Sequence, residues 1–241
     1  MIARLAVLPA ELRPMGERLH VRPDSPAPSL AQWLQPRRLG ALLRRYTAAA
    51  WPDGDRYAVA SMWHQECFVT LLPPLLLDRL LLDRALPADL HALRMTVQRD
   101  GTPAEFHFCG EGRALPAQED GTQRLDGLFE QLLLPFVSRY AELIGLAPRL
   151  LWGNAALCLD WALELAAGGR SSRSIGEARA YLADSRGLCR PLQAALKRNS
   201  AGVAQTRKVC CLRDRLELPR CAVCPLGERR ASPQEDVAAL P

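Results

Sequence analysis

Residues 150–166 limit the possible folds of this chain most, because they are apolar on nearly every side. A helix without a polar face cannot lie on a protein surface and has to be surrounded by other elements. The stretch is followed by Gly168–Gly169, and glycine commonly ends a helix. The sequence therefore predicts a buried central helix within a mainly helical fold.

Apolar residues at helical spacing predict further helices around this one. The predicted helices are 36–49, 56–71, one that starts at Pro74, 123–145, one from the capping box of Ser174 and Glu177 to about 183, and 190–197. Proline lacks the amide proton that a helix interior needs. Pro73–Pro74 is therefore expected to end the second helix, and Pro135 to kink the longest one.

Between residues 93 and 108 the apolar period changes from helical to alternating. The alternating residues are Leu93, Met95 and Val97 before Asp100–Gly101, and Ala104, Phe106 and Phe108 after it. This pattern predicts a β-hairpin with a tight turn, which needs helices or further strands to pack on. The predicted fold class is α+β and mainly helical, with a helical body and a small β-sheet.

Composition and the N-terminal residues indicate the cellular location of the chain. The 241-residue chain has a mild, dispersed net charge of +5, which gives little support to a nucleic-acid partner. Its eight cysteines are too dilute for a disulfide scaffold. The apolar start before Pro9 is too short for a signal peptide, and prolines and charges interrupt the leucine-rich stretch 71–82. We expect a cytoplasmic chain with reduced cysteines and no stable membrane insertion.

Four of the cysteines lie within 15 residues, as Cys210–Cys211, nine residues, and then Cys221-x-x-Cys224. Four thiolates suit either an all-cysteine zinc site or an iron–sulfur cluster. Neighbouring side chains of a strand point to opposite faces, so both members of the adjacent pair can ligate only if the backbone bends there. A two-iron rhomb accepts such a pair more readily than one zinc ion, which favours a 2Fe–2S cluster. Zinc and unligated thiols remain open.

The surrounding segment is basic. Between Asn199 and Arg230 there are three acids and seven basic residues, namely Arg207, Lys208, Arg213, Arg215, Arg220, Arg229 and Arg230. Nearby cations favour the reduced state of an anionic cluster and attract an acidic electron donor. For each arginine taken singly, a solvated surface position is the simpler interpretation.

Residues 207–226 resemble the C-terminal cluster segment of FhuF-type ferric-siderophore reductases, where Cys-Cys, about ten residues and Cys-x-x-Cys hold a 2Fe–2S centre. Leu151–Ala156, with Trp-Gly-Asn, and Ala60–Pro74, with Ser-x-Trp and Pro-Pro, are similar to two further segments of that family. The resemblance covers roughly 40–230. The chain departs from the pattern at Asp214, where an aromatic residue is common, and its spacer is one residue short.

This resemblance implies a cytoplasmic oxidoreductase that reduces siderophore-bound Fe(III) to Fe(II) by one electron and releases the iron. One 2Fe–2S cluster would be bound by Cys210, Cys211, Cys221 and Cys224, with no further catalytic residue. The substrate would be a ferric siderophore of hydroxamate type. Gly110-Glu111-Gly112 lacks the third glycine of a dinucleotide motif, so the electron donor is expected to be an external ferredoxin-like or flavin-dependent protein.

The expected organisation has four parts. They are an irregular N-terminal arm at 1–28, a mainly helical substrate-binding body with a small β-sheet at 29–196, a cluster-binding segment at 197–230 and a flexible tail at 231–241. Two alternatives remain: a zinc-stabilised four-cysteine module that docks a protein or nucleic acid, and a non-redox relative that binds siderophore.

Other polar residues have simpler interpretations than a site. Cys67 and Cys158 are expected in the core, and Cys109 at a partly exposed strand end. Asp160 and Glu164 share a helix face and are expected to meet arginines. Trp63 is expected to anchor the core and His64 to be hydrogen-bonded or exposed. Asn154 is expected to be a structural cap or to hold a loop by a hydrogen bond, rather than to contact substrate.

Overall fold

The structure is a computed structural model that describes residues 2–116, 119–169, 173–184, 186–199 and 203–227. The predicted flexible tail at 231–241 lies outside these residues. The fold is α+β and mainly helical, as predicted.

Helices and short strands follow one another in runs along the chain. The helices are α1 Arg13–Gly16, α2 Leu30–Trp33, α3 Pro36–Ala50, α4 Arg56–Leu81, α5 Gly121–Leu128, α6 Leu134–Ile144, α7 Pro148–Gly169, α8 Arg173–Ala183 and α9 Arg190–Ala195. The strands are β1 Leu19–Val21, β2 Arg84–Ala85, β3 Arg94–Val97, β4 Pro103–Phe108, β5 Arg113–Ala114, β6 Leu196–Arg198 and β7 Ala204–Arg207.

Helices α4 and α7 pack along each other at the centre of the molecule. Most side chains of α4 between Ala58 and Leu80 are buried. Helix α7 is also mostly buried, which confirms the prediction of a central helix at 150–166. Among the described residues, Pro148–Ala167 is apolar and long enough to cross a membrane, but 67% of this stretch is buried inside the protein.

The prediction that Pro73–Pro74 ends a helix is wrong, because α4 continues through both prolines. Each interior proline costs about 3 kcal/mol through the lost hydrogen bond and a steric clash. The leucines at 71, 72 and 75–77 are each at most 1% exposed. Full burial of a leucine contributes about 1.5–3 kcal/mol, so five of them outweigh the cost of two prolines.

The long helix predicted at 123–145 is interrupted just before Pro135. Between α5 and α6, residues Phe129–Leu133 form a π-helical turn, in which Leu134 N–H donates to the carbonyl of Phe129, five residues back. Pro135 cannot donate to the preceding turn, and the wider turn makes room for its ring. The apolar face stays continuous, since Phe129, Leu132 and Leu133 are fully buried.

The segment expected as an irregular arm contains regular elements. Residues Ala3–Val7 and Ala10–Leu12 are 3₁₀ turns, α1 follows them, and β1 adds a parallel strand to β4. Elements this short are below the length at which an apolar period can be recognised. Four leucines of this segment are at most 1% exposed, namely Leu5, Leu8, Leu12 and Leu19, so the segment is part of the core.

The predicted hairpin is confirmed as β3 and β4, which pair antiparallel with Met95 opposite Phe106. With β1 it forms a three-stranded sheet in the order β1-β4-β3. Gly101 in its turn has a φ of 94°, and its carbonyl accepts a 3.0 Å hydrogen bond from the indole N–H of Trp63. Trp63 is buried, so its predicted role as a core anchor is confirmed.

Two further predicted helix boundaries differ from the structure. Ser174 lies inside α8 and not at its start, and Glu177 accepts a hydrogen bond from Arg173 instead of closing a capping box. The predicted helix at 190–197 ends at Ala195, because the chain changes there to the strand β6. Strands β6 and β7 pair antiparallel and lead into the cysteine segment.

Candidate metal centre

The end of β7 brings the two cysteine pairs of the sequence together. Arg207 N–H donates to the carbonyl of Val223 at 2.8 Å, which ties β7 to the Cys-x-x-Cys turn. Cys224 N–H donates to the carbonyl of Cys221 at 3.0 Å and closes that turn. On the other side, Leu212 N–H donates to the Cys210 sulfur at 3.3 Å. Both turns are therefore held by backbone hydrogen bonds close to the sulfurs.

The backbone bends sharply after the adjacent cysteines, as ligation by both of them would require. Leu212 has a φ of 68°, a left-handed conformation that bulky residues rarely adopt. A 3₁₀ turn, Arg213–Leu216, follows and ends at Glu217 with a φ of 61°. Leu216 is buried against Gly54, where an added Cβ would lie 2.9 Å from the leucine side chain.

Two of the four thiols are at ligand spacing. The sulfurs of Cys211 and Cys221 are 3.9 Å apart. Two sulfurs on one tetrahedral metal with bonds of about 2.3 Å are separated by about 3.8 Å. The hydrogen bond between these thiols lowers the pKa of Cys211 and raises the pKa of Cys221.

The other two thiols are near this pair. Burial raises the pKa of Cys210 to about 11, and the neighbouring Cys211 and Cys224 thiols act in the same direction. Cys211 is buried, whereas Cys210, Cys221 and Cys224 are half-buried. The structure thus brings the four predicted ligands into one neighbourhood at the surface, and their role as ligands stays a prediction.

The spacing of the thiols bears on whether they suit one metal ion or two. Within the part of the chain that the structure describes, no group of three or more His, Cys, Asp or Glu side chains is gathered for a single metal ion. A two-iron cluster needs its thiolates in two pairs, one pair on each iron. Cys211 and Cys221 fit one such pair, and Cys210 and Cys224 are the thiols left for the other.

A buried cation lies behind the thiols. The Arg207 side chain is among the largest fully buried ones. Its Nη1 donates to Asn154 Oδ1 at 2.7 Å. Asn154 Nδ2 in turn donates to the carbonyl of Ser61 at 3.2 Å. In the described chain, Nε and Nη2 of Arg207 have no hydrogen-bond acceptor. An anionic group beside them would fit, and four thiolates around iron form such a group.

The three sequence segments that resemble one family are in contact with one another in the structure. Ser61 belongs to α4, Asn154 to α7 and Arg207 to β7, and hydrogen bonds join the three in a row. Gly153 leaves room for the arginine, since a Cβ there would lie 3.2 Å from Nη1. Asn154 is hydrogen-bonded, as expected, but it joins a helix and a strand and neither caps a helix nor holds a loop.

Arg207 is the functional candidate that sequence reasoning missed. It was grouped with solvated basic residues, whereas the structure buries it. The signal was indirect: Asn154 on a buried helix needed a polar partner, and the basic segment could supply one. Lys208 and Arg215 are exposed, in agreement with the expectation for most of that segment.

The remaining candidates have structural roles. Asp160 forms a 2.8 Å ion pair with Arg198, which confirms the expected arginine partner, and Glu164 is exposed. The expectation for His64 is wrong, because it is fully buried and neither ring nitrogen has a partner among the described residues. It packs against Phe68 with ring centroids 4.1 Å apart, and burial lowers its pKa to about 3.

The scattered cysteines lie where the sequence predicts them. Cys67 and Cys158 are buried, and burial raises the pKa of Cys158 to about 12, so both thiols stay protonated. Cys109 is exposed at the end of β4.

Comparison with known families identifies the class of protein. The family described as "Ferric iron reductase FhuF-like transporter" matches residues 61–199, which is more than half of the chain. The chain therefore belongs to the FhuF-like ferric iron reductase family, and the resemblance drawn from the sequence is confirmed. The matched range contains Ser61 and Asn154 and ends before the four cysteines. No curated protein matches the chain.

Membership of this family supports a function related to ferric iron reduction. The family match does not test the cluster or its ligands. Their support comes from the four neighbouring thiols and the buried arginine.

Proposed function

We propose that the protein is a cytoplasmic ferric-siderophore reductase that binds one 2Fe–2S cluster through Cys210, Cys211, Cys221 and Cys224. One observation supports this most. Four cysteines lie near one another at the surface, two of them with sulfurs 3.9 Å apart, beside a buried arginine that has no anionic partner in the described chain. Soft thiolate ligands suit iron–sulfur clusters, and an anionic centre there would compensate the arginine.

The chemistry needs one electron and no acid, base or nucleophile from the protein. Hard siderophore oxygens hold ferric iron much more tightly than ferrous iron. One electron from an external ferredoxin-like or flavin-dependent donor therefore reduces bound Fe(III) to Fe(II) and makes the complex labile. The cluster, when bound, supplies a one-electron carrier between that donor and the chelate.

The residues of the chain have two tasks in this reaction. The four cysteines hold the carrier near the surface, because three of them are half-buried. The hydrogen-bonded row of Ser61, Asn154 and Arg207 sets the position of the guanidinium beside the cysteine segment. We propose that residues 29–196 seat a ferric siderophore of hydroxamate type and that 197–230 bind the cluster.

The test compares Cys221→Ser with Cys109→Ser in anaerobically prepared protein. We expect wild type to contain iron and acid-labile sulfide in equal amounts, to absorb visible light and to bleach with dithionite. Cys221→Ser should lose the absorbance and the release of Fe(II) from a ferric trihydroxamate, measured with a ferrous chelator. Cys109→Ser, an exposed cysteine outside the segment, should keep both.

Three results would contradict the proposal. Colourless wild-type protein with one equivalent of zinc would identify a zinc-stabilised binding module. An unchanged spectrum in Cys221→Ser would reject the ligand assignment. Trihydroxamate binding by a wild-type protein that contains no iron and sulfide would indicate a non-redox siderophore-binding relative.

A further inference from the structure

Arg207 is a buried cation without an anion in the described chain. Its side chain is fully buried, and its one side-chain hydrogen bond is to a neutral amide, Asn154. A buried charge is costly unless it is paired. A protein that keeps such a group therefore has a compensating anion or a use for the charge.

The groups around Arg207 identify which anion it meets. On α4 its neighbours are Ser61 and His64, and on α7 they are Asn154 and Cys158. These are neutral at ordinary pH, since the pKa of His64 is lowered and that of Cys158 is raised. From the cysteine segment, the neighbours are Cys211 and Cys221, whose sulfurs are 3.9 Å apart.

The position of Arg207 is fixed by two helices and not by its own segment alone. Asn154 Nδ2 donates to the Ser61 carbonyl at 3.2 Å and to its hydroxyl at 3.4 Å. These two bonds orient the amide so that Oδ1 faces the guanidinium. The 2.7 Å bond from Nη1 then holds the charge on the buried side of the thiols.

We propose that Arg207, oriented by Asn154 and Ser61, is a positioning residue that raises the reduction potential of the centre bound by the four cysteines. This inference rests on the proposed function. Reduction adds one negative charge, and a fixed cation nearby favours that state. Arg207 is shielded from solvent, so its charge is screened much less than the exposed charges of Lys208 and Arg215.

The first test is Arg207→Gln, with Lys208→Gln as the matched control next to it in the chain. Redox titration of the visible absorbance should show reduction of Arg207→Gln to be about tenfold less favourable, which is about 59 mV for one electron. Arg207→Lys should retain most of the wild-type potential. Lys208→Gln should leave the potential close to that of wild type, because solvent screens this exposed charge.

The second variant, Asn154→Asp, keeps Arg207 and the shape of the site but adds a carboxylate 2.7 Å from the guanidinium. The new ion pair cancels the charge, so the potential should again fall. Urea unfolding of cluster-free protein gives an independent readout. Arg207→Gln should be at least as stable as wild type without the cluster, since it removes an unpaired buried charge. Asn154→Asp also loses the donor to the Ser61 carbonyl, so for this variant the potential is the readout.

The outcomes separate this inference from the proposed function. A wild-type protein without iron and sulfide rejects the proposed function. If the wild type binds the cluster and Asn154→Asp has the same reduction potential, the inference is overturned and the proposed function stands. The same holds if cluster-free Arg207→Gln is less stable than cluster-free wild type. The latter result would mean that the arginine has a merely structural role. If Arg207→Gln does not take up the cluster, the inference is tested by the reduction potential of Asn154→Asp alone.

Discussion

Two residues in the left-handed conformation bracket the turn that follows the adjacent cysteines. Leu212 precedes the 3₁₀ turn and Glu217 ends it, with φ values of 68° and 61°. Such a conformation costs about 1–2 kcal/mol for a residue with a side chain. Both strained residues lie where the backbone reverses direction between Cys210–Cys211 and Cys221-x-x-Cys224.

Glu217→Gly is expected to stabilise the protein. Glu217 is exposed, so the change removes backbone strain without loss of packing. After the larger entropy of unfolded glycine is subtracted, the gain in the free energy of unfolding should be about 0.5–1 kcal/mol. Urea denaturation measures it. Glu217→Ala keeps the strain and should give no gain, and a stability loss in Glu217→Gly would contradict this account.

At this scale the sequence identified the candidate ligands but not their surroundings. Cysteine spacing alone pointed to Cys210, Cys211, Cys221 and Cys224. The burial of Arg207 could not be deduced, because arginine is usually exposed and its partner Asn154 is 53 residues away in the chain.

Helix α4 begins next to the cysteine segment, and its first turn contacts that segment. The Asp55 carboxylate accepts hydrogen bonds from Tyr57 N–H and Ala58 N–H, each at 2.9 Å. Arg215 Nη1 also donates to Asp55 at 3.0 Å. One side chain therefore caps the central helix and contacts the turn after the adjacent cysteines.

Asp55→Ala is expected to lower the free energy of unfolding by about 1 kcal/mol, the usual cost of losing an N-cap. Asp55→Asn should lose less, because its amide oxygen can still accept from the backbone and the exposed ion pair contributes little. The hydrogen bond from Ala58 N–H is the main cause that lowers the pKa of Asp55. The carboxylate therefore stabilises the fold fully above the ordinary aspartate pKa, and this contribution is lost as pH falls through its lowered pKa.

Unfolding curves at neutral pH and near pH 3 measure both effects. Equal losses in Asp55→Ala and Asp55→Asn at neutral pH would contradict the capping role.

Among the elements, long periodic helices were predictable and interruptions by proline were not. Helix α3 and the centre of α7 match their predicted ranges because one face or the whole surface is apolar. Pro73–Pro74 was assigned as a helix end from local propensity, and tertiary burial of the surrounding leucines reversed this. The three-stranded sheet was only partly predicted, because β1 pairs with a strand more than 80 residues away.

Across the whole molecule, Arg4 joins the start of the chain to α4. Its Nε donates to Asp78 Oδ1 at 2.7 Å and its Nη2 to Oδ2 at 3.2 Å. Asp78 is fully buried, and burial raises its pKa despite the arginine. Glu111, which also pairs with Arg4, is largely exposed.

Arg4→Ala is expected to lower the free energy of unfolding at neutral pH by about 3 kcal/mol, because it leaves a buried carboxylate unpaired. An acid with a raised folded pKa favours the fold at low pH and loses that contribution as pH rises through the folded pKa. The loss in Arg4→Ala should therefore shrink at acidic pH, where Asp78 binds a proton.

Adding Asp78→Asn to Arg4→Ala should recover much of the stability, whereas Glu111→Gln alone should change little. Denaturation at pH 5 and pH 8 distinguishes these cases. A loss in Arg4→Ala that is independent of pH and of Asp78 would contradict the pairing.

The position of the cysteine segment after α4 and α7 has a consequence for biosynthesis. A ribosome makes both helices, with Ser61 and Asn154, before it reaches Arg207 and the four cysteines. Folding during translation proceeds from the N-terminal side, so the helices can pair on the nascent chain before the four C-terminal cysteines emerge. Under the proposed function, iron and sulfide would then reach a cysteine segment that docks on helices already paired.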